Sequence, residues 1–293
     1  MILSRRDLEL LDPSAANAGN EIFCFPEKVL QFGTGALLRG VSCYFIHKAN
    51  VQGLFNGRVV AVSPSATDDR SAFDKQNGLY TICAREYGKD VVTEQNIIAT
   101  CISRVLSASD EWQLVLDCAH NENMQVIILD AAEEEIELIK DDIFKTPPPS
   151  FPGKLVSFLY ERYKAFSGRK QSGMIIISVE EAAHYSENLE SIVMELAHLN
   201  GLESEFIDWL EYNNHFCASR VNRITVDSPG LALKKIKESA LGYRDDLMIT
   251  SEVLGSWTIE CNEEVEKALS FAKASQRVVI ASRRSSAFSV VHR

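Results

Sequence analysis

From Lys28 onward, short apolar runs alternate with amphipathic stretches of helical spacing. KVLQF reads as a strand, the turn Gly33-Thr34-Gly35 follows it, and ALLRGVSCYFIHKAN carries apolar positions at helical intervals. RVVAVSPS reads as a second strand, because Val59, Val60, Ala61 and Val62 are apolar and Pro64 closes the run. That succession is the opening of a βαβ unit. NGLYTICAR predicts a strand entered through the turn pair Asn77-Gly78. VVTEQNIIATCISRVL continues as strand or mixed structure, an insertion between the strands of the unit.

SASDEWQLVLDCAHN predicts a helix with its N-cap at Ser109 and an apolar face of Trp112, Val115, Leu116 and Ala119, and MQVIILD predicts the strand after it. TPPPSFPG, from Thr146 to Gly153, predicts an extended loop, since prolines fix φ and remove backbone donors. KLVSFLYERYKAF restarts a helix, and GMIIISVE is a buried strand. NLESIVMELAHLNG is a helix stopped at a glycine; SEFIDWLEYNNHF is another, with Phe206, Trp209 and Leu210 on one side. After Ser228-Pro229-Gly230, LALKKIKESALG is helical and EVLGSWTIE alternates like an added strand. Strands separated by helices imply an α/β fold: a Rossmann-type doubly wound, mostly parallel sheet with helices on both faces.

Composition allows this, with 46% of the 293 residues hydrophobic. The formal net charge of -11, without a basic stripe, argues against a nucleic-acid partner. The acidic stretch Glu133, Glu134, Glu135, Glu137, Asp141 and Asp142 reads as a solvated helix face. Seven cysteines with no CxxC pair and no nearby His at ligand spacing predict no metal, and buried free thiols in a reducing compartment. No run approaches the roughly 18 apolar residues of a membrane span and no signal core opens the chain, so the expectation is a cytoplasmic protein without a membrane partner.

Between a strand and a helix, Gly33 and Gly35 let bare backbone approach a pyrophosphate, and the helix N-terminus adds N–H groups and positive potential. The string runs GxGxxxRG, with Gly40 beyond the usual place of the third glycine, so spacing alone leaves dinucleotide binding and a plain strand-to-helix turn equally open. Candidate cofactor contacts are Phe32, Gly33, Thr34, Gly35 and Arg39, with Ser63 at the end of the second strand. By default Arg39 is a helix-surface arginine. Ser63-Pro64-Ser65 stands where a ribose-binding acid normally follows the second strand, Asp68 and Asp69 are the first acids, and Arg70 leaves a 2′-phosphate open.

The strings VLQFGTGALLRG, NGLYTICAR, ISRVLSASDEW, SFPGKLVSFLYERYKAF and FCASRVNRI, in this order, resemble the mannitol dehydrogenase family, most closely its tagaturonate reductase (altronate oxidoreductase) branch, over about Phe25 to Ile280. The resemblance implies reversible hydride transfer between NAD and an open-chain sugar derivative without metal. For that branch the reaction is D-tagaturonate plus NADH to D-altronate plus NAD in hexuronate catabolism, with NADP as the alternative cofactor. It also implies a proton-transfer Lys, assisted by Asn and His, in a KxxxxNxxH segment of a following helical domain. No KxxxxNxxH occurs in the 293 residues, and VVIAS is followed by RRSSAFSVVHR. The expectation is therefore a chain whose C-terminal helical substrate domain is largely missing. It divides into an N-terminal arm (1–25), a dinucleotide-binding Rossmann domain (26–227), an extension towards the substrate domain (228–281) and a divergent tail (282–293).

Accessory candidates are Glu180 and Glu181 at the end of the GMIIIS strand and Asn188 beyond it, where the family has polar residues; the plainer reading is a loop and a helix cap. Asn222 stands where the family signature has Asp, and ILDAAEEEI departs from the family's polar stretch after the fourth strand. His184, His215 and Cys217 lack an identifiable catalytic context. Two further readings stay open: a nucleotide-binding remnant without turnover, and a fructuronate or mannitol dehydrogenase. Loss of a covering domain predicts self-association through exposed apolar residues around Leu254, Trp257 and Ile259, and through Phe288, Val290 and Val291 of the tail.

Overall fold

The computed structural model describes residues 1–8, 20–64, 68–88, 91–130, 136–180 and 186–282. The chain runs through β1 (Glu27–Phe32), α1 (Ala36–Gly40), α2 (Ser42–Val51), β2 (Arg58–Ser63), α3 (Asp68–Lys75), β3 (Tyr80–Tyr87), β4 (Val92–Ala99) and β5 (Ile102–Ser107). It continues through α4 (Trp112–Asp117), β6 (Val126–Asp130), α5 (Phe151–Phe166), β7 (Ile175–Glu180), α6 (Ser186–Leu199) and α7 (Ser204–Asn213). The last elements are β8 (His215–Asp227), α8 (Leu231–Leu241), β9 (Ile249–Cys261), α9 (Glu263–Ala268) and β10 (Val278–Ser282).

One sheet takes the strand order β4-β3-β9-β8-β7-β6-β1-β2-β5, with β10 beside β9. The six strands from β5 to β8 are all parallel and follow the doubly wound order 3-2-1-4-5-6 when numbered among themselves. The antiparallel β3–β4 hairpin, inserted between the second and third of these strands, crosses to the far edge. There β9 joins it to β8, antiparallel to β8 and parallel to β3. The stretch 228–281 thus adds two strands to the same sheet.

The apolar runs are continuous because both faces of these strands are covered. Val29, Val126, Ile128, Ile175 and Ile177 turn to the core beneath α2, while Leu30, Phe32, Ile127, Leu129 and Ile176 turn to the core beneath α5, α6 and α7. The second core holds Phe206, Trp209 and Leu210 as the pattern of α7 predicts. The N-terminal residues dock separately, with Leu3 and Leu8 buried against Leu79 and Tyr243.

Several expectations are corrected. ALLRGVSCYFIHKAN is two helices broken at Val41 (φ -111°, ψ -80°), just after Gly40, where a Cβ would lie 2.5 Å from Val226. This close approach of α1 to β8 requires glycine, which also weakens the helix at that point. Ser109 is no N-cap: α4 begins after Glu111, whose carboxylate accepts the Ser107 amide at 3.0 Å. The proline loop ends at Ser150, whose Oγ accepts from the Gly153 amide at 3.0 Å, and Pro152 falls in the first turn of α5, where its missing N–H costs nothing. Glu137 to Asp142 form no helix, and Asp141 is buried, accepting the Ser150 amide at 2.7 Å. Glu133, Glu134 and Glu135 lie outside the described residues.

Trp257 and Ile259 are also fully buried, because β9 is an inner strand. The Trp257 ring stacks between Phe45 (6.2 Å) and Phe271 (5.7 Å), and its Nε1 donates to Ser219 Oγ at 2.9 Å. Leu254 is 37% exposed; Phe288, Val290 and Val291 lie outside the described residues. All seven cysteines are free and six are buried; Cys24, at the end of the 3-10 helix Asn20–Cys24, is exposed. Among the described residues no helix is long and apolar enough to cross a membrane, and no group of three or more His, Cys, Asp or Glu is placed to hold a metal ion.

Candidate functional site

The order of the parallel strands reverses between β1 and β6, so a crevice opens at their carboxyl ends. Strand β1 delivers the glycine turn there. Gly33 takes φ 112°, a conformation that side chains strain against, and its amide donates to the Val62 carbonyl at 2.8 Å, carrying the β1–β2 pairing one step into the turn.

The carbonyls of the turn are gripped from inside the protein. Gln31, fully buried, donates from Nε2 to the Gly33 carbonyl at 3.0 Å, and its Oε1 accepts from Ser42 Oγ at 2.8 Å and Cys43 Sγ at 3.3 Å. Arg39 donates from Nε to the Thr34 carbonyl at 2.9 Å and from Nη1 to the Leu247 carbonyl. With both carbonyls tied inward, the amides of Thr34, Gly35 and Ala36 meet no acceptor among the described residues, and Gly35 caps α1 without a side chain. Bare amides beside glycine are what a pyrophosphate needs.

Arg39 was expected at the cofactor phosphates or on the helix surface, and the structure places it at neither. It is 7% exposed, and its guanidinium lies over the rings of Tyr80 (5.2 Å) and Phe73 (5.8 Å), while the Tyr80 hydroxyl donates to the Arg39 carbonyl at 3.0 Å. It braces the turn from behind. Phe32 is likewise a core side chain, packed edge-on against Phe151 at 5.2 Å, and only its backbone borders the crevice.

The neighbouring strand ends complete the rim. Ser63, buried, ends β2, and its carbonyl accepts from the Ala108 amide at 2.8 Å. Ser107 ends β5, with its hydroxyl 3.0 Å from Ser109 Oγ and from Asp110 Oδ2. Asp130, 3% exposed, ends β6. Arg70, the residue that left a 2′-phosphate open, is engaged by Glu111 in two contacts of 2.7 Å. Burial alone would raise the Glu111 carboxyl, but the Ser107 amide and Arg70 outweigh it and hold its pKa below the usual value.

Glu180 ends β7 in register with Arg220, Glu181 lies outside the described residues, and Asn188 is exposed in the first turn of α6. The structure therefore gathers Gly33, Thr34, Gly35 and Ser63 on one rim, and adds Gln31, Ser107 and Asp130, which sequence reasoning missed. Gln31 did leave a signal, as the one polar residue in KVLQF after its opening lysine.

A doubly wound sheet with a glycine turn at its switch point defines a Rossmann-type dinucleotide-binding domain. The chain belongs to the mannitol dehydrogenase family, whose Rossmann domain matches residues 27–273. It is 35% identical over 261 residues to the altronate oxidoreductase of Bacillus subtilis (strain 168), covering 88% of this chain and 54% of that protein. To the altronate oxidoreductase of Halalkalibacterium halodurans it is 34% identical, covering 86% and 50% respectively. The chain thus spans about half the length of the curated relatives it matches. Among solved structures, the Pseudomonas fluorescens mannitol 2-dehydrogenase, in ternary complex with NAD and D-mannitol, superposes with a TM-score of 0.75 at 17% identity. That match covers 97% of this chain and 58% of the other. A D-sorbitol dehydrogenase superposes with a TM-score of 0.73 at 17% identity, covering 97% and 59%.

Proposed function

We propose that this chain is the NAD-binding part of an oxidoreductase that interconverts D-tagaturonate and D-altronate. The observation that carries the reading is the glycine turn. Its carbonyls are anchored by Gln31 and Arg39, and its amides are left for a pyrophosphate. The Arg70–Glu111 pair favours NAD over NADP, because the guanidinium that would meet a 2′-phosphate already holds a carboxylate. The relatives named altronate oxidoreductase, at 34–35% identity, support the sugar-acid substrate.

Bound NADH supplies the hydride. The chain's own residues orient it: Gly33 to Gly35 fix the pyrophosphate, and Ser63 and Ser107 border the adenosine side of the crevice. Asp130 and Glu180, at the ends of β6 and β7, and Asn188, in the first turn of α6, follow on the nicotinamide side as candidate polar contacts to the sugar acid, with Glu181 a candidate from the sequence alone. A second reading, a nucleotide-binding chain without turnover, is favoured by the absence of a KxxxxNxxH segment from these residues.

Titration of NADH fluorescence tests the proposal. The chain should saturate, and Gly35→Trp should abolish saturation by filling the space through which the pyrophosphate approaches backbone. Equal binding by that variant would remove the glycine turn from the site. Saturation without tagaturonate reduction would select the second reading.

A further inference from the structure

At the amino ends of the parallel strands, opposite the glycine turn, lies a second cleft of about 300 Å³. Arg5, Phe23, Arg58, Asn77, Ser103 and Arg104 are among the residues lining it. Arg58 opens β2 and is only 8% exposed. Its Nη1 donates to the Phe23 carbonyl at 3.4 Å and its Nη2 to the Ile102 carbonyl at 2.6 Å, but its Nε–H, sealed from solvent, meets no acceptor among the described residues. Glu27, a carboxylate whose charge it feels, is committed elsewhere: to Arg104 at 3.0 and 2.9 Å and to Ser103 at 2.7 Å.

A buried arginine need not signal a ligand, and Arg162 shows the contrast. There Nε donates to Ser172 O (2.6 Å), Nη1 to Ala119 O and Asn121 O (2.9 and 3.0 Å), and Nη2 to Met124 O (2.8 Å). Every nitrogen is met by a carbonyl. At Arg58 one is not, and a second guanidinium stands close by: Arg5 lies 4.1 Å from the Phe23 ring centroid, and Arg58 lies 5.5 Å from the same centroid. Among the described residues, Arg5, Arg58 and Arg104 line the cleft with one carboxylate, Asp74, which is within 3.9 Å of Arg70, while Glu27 beside it is taken by Arg104. Holding an uncompensated positive charge at a buried position is costly unless an anion shares the site.

We propose that this cleft binds a small oxyanion, a phosphate or carboxylate group, between Arg5 and Arg58. The planar forks of the two side chains suit oxyanion geometry. Asn77 Oδ1 accepts from the Arg5 amide at 3.1 Å and holds the N-terminal segment against the turn before β3. A bound oxyanion fastens that segment to β2 and β5, the strands whose other ends form the adenosine side of the crevice.

The test is calorimetric unfolding of the full chain in inorganic phosphate and, separately, in malonate, each against KCl at equal ionic strength. At least one of the two should raise the unfolding midpoint along a saturating curve that KCl does not reproduce. A response to phosphate alone, or to malonate alone, assigns the oxyanion. Arg5→Ala, at an exposed position, should raise the half-saturating concentration about tenfold or more, read against the variant's own anion-free midpoint. Phosphate bound at the glycine turn, at the other end of the sheet, would not respond to Arg5. An unchanged curve in Arg5→Ala therefore overturns the proposal, as does the lack of any effect beyond KCl.

Discussion

The carboxamide of Gln31 holds the carbonyl of Gly33, two residues further on, at 3.0 Å. The same side chain accepts from Ser42 and Cys43 of α2, so one buried group joins the last strand residues, the turn and the following helix. Replacing it with Leu fills similar volume but leaves the Gly33 carbonyl without that partner, while the Ser42 hydroxyl keeps the Leu38 carbonyl at 2.8 Å. An unsatisfied buried polar group costs about 1–3 kcal/mol. Gln31→Leu should weaken NADH binding about tenfold and lower the unfolding midpoint by several degrees. Fluorescence titration and calorimetry check this; unaltered affinity would mean that the turn holds its shape without Gln31.

Much of this arrangement was legible in the chain. The βαβ opening, the insertion at β3–β4 and the strands β6 and β7 follow from runs of apolar residues bounded by turns. Those signals are local and repeat at a fixed period. The direction of individual polar side chains is not local. Arg39 has helical spacing and a charge, which together predict a surface, yet Tyr80 and Leu247, from distant segments, draw it inward. Trp257 reads as exposed only if β9 is an edge; its burial depends on β8 on one side and β3 and β10 on the other. Ser109 loses the capping role to Glu111 through a contact at 3.0 Å that no spacing rule encodes. What escapes the sequence is tertiary competition for the same donors and surfaces.

Turnover separates binding from catalysis. Positioned acid–base groups contribute roughly 100- to 10,000-fold to proton-coupled steps. With no KxxxxNxxH segment among its residues, the chain alone should oxidise NADH with tagaturonate at least about 100-fold more slowly than a relative that carries one. Lys234 is an unsuited substitute, since it faces Asp246 at 3.3 Å and Glu238 at 3.8 Å. A stopped-flow assay giving comparable rates would show that a different group moves the proton.

Helix α8 has no buried residue, and it presents Leu231 (80% exposed), Ile236 (67%) and Leu233 (44%). Neighbouring exposed apolar side chains of this size favour association. The chain should therefore self-associate through α8 rather than through Trp257 or Ile259. Light scattering across a concentration series should show mass rising with concentration, and the double substitution Leu231→Glu, Ile236→Lys should abolish the rise. Persistence of the rise would place the contact elsewhere.

On the proposed reading, cofactor choice turns on Glu111. Its carboxylate holds Arg70 and also accepts the Ser107 amide at the end of β5. Its folded pKa is lowered, so its stabilising contribution is complete above the ordinary carboxylate range and is lost as pH falls through the lowered value. The pair is partly exposed, with Arg70 30% and Glu111 22% accessible, so solvent screening limits its effect on stability. Its effect on ligand choice is more direct. While Glu111 is charged, a 2′-phosphate must compete with it for Arg70, and wild type should bind NADH more tightly than NADPH by at least about tenfold. Glu111→Gln removes the competing charge but keeps a group able to accept from Ser107. The ratio of the two dissociation constants, measured by fluorescence titration at neutral pH, should fall by several-fold in this variant, mainly through tighter NADPH binding. Adding Arg70→Ala should restore the original preference, because the freed guanidinium is then gone. If Glu111→Gln leaves the ratio unchanged, Arg70 does not reach the ribose, and selection against the 2′-phosphate lies with Ser63 and the residues that follow it.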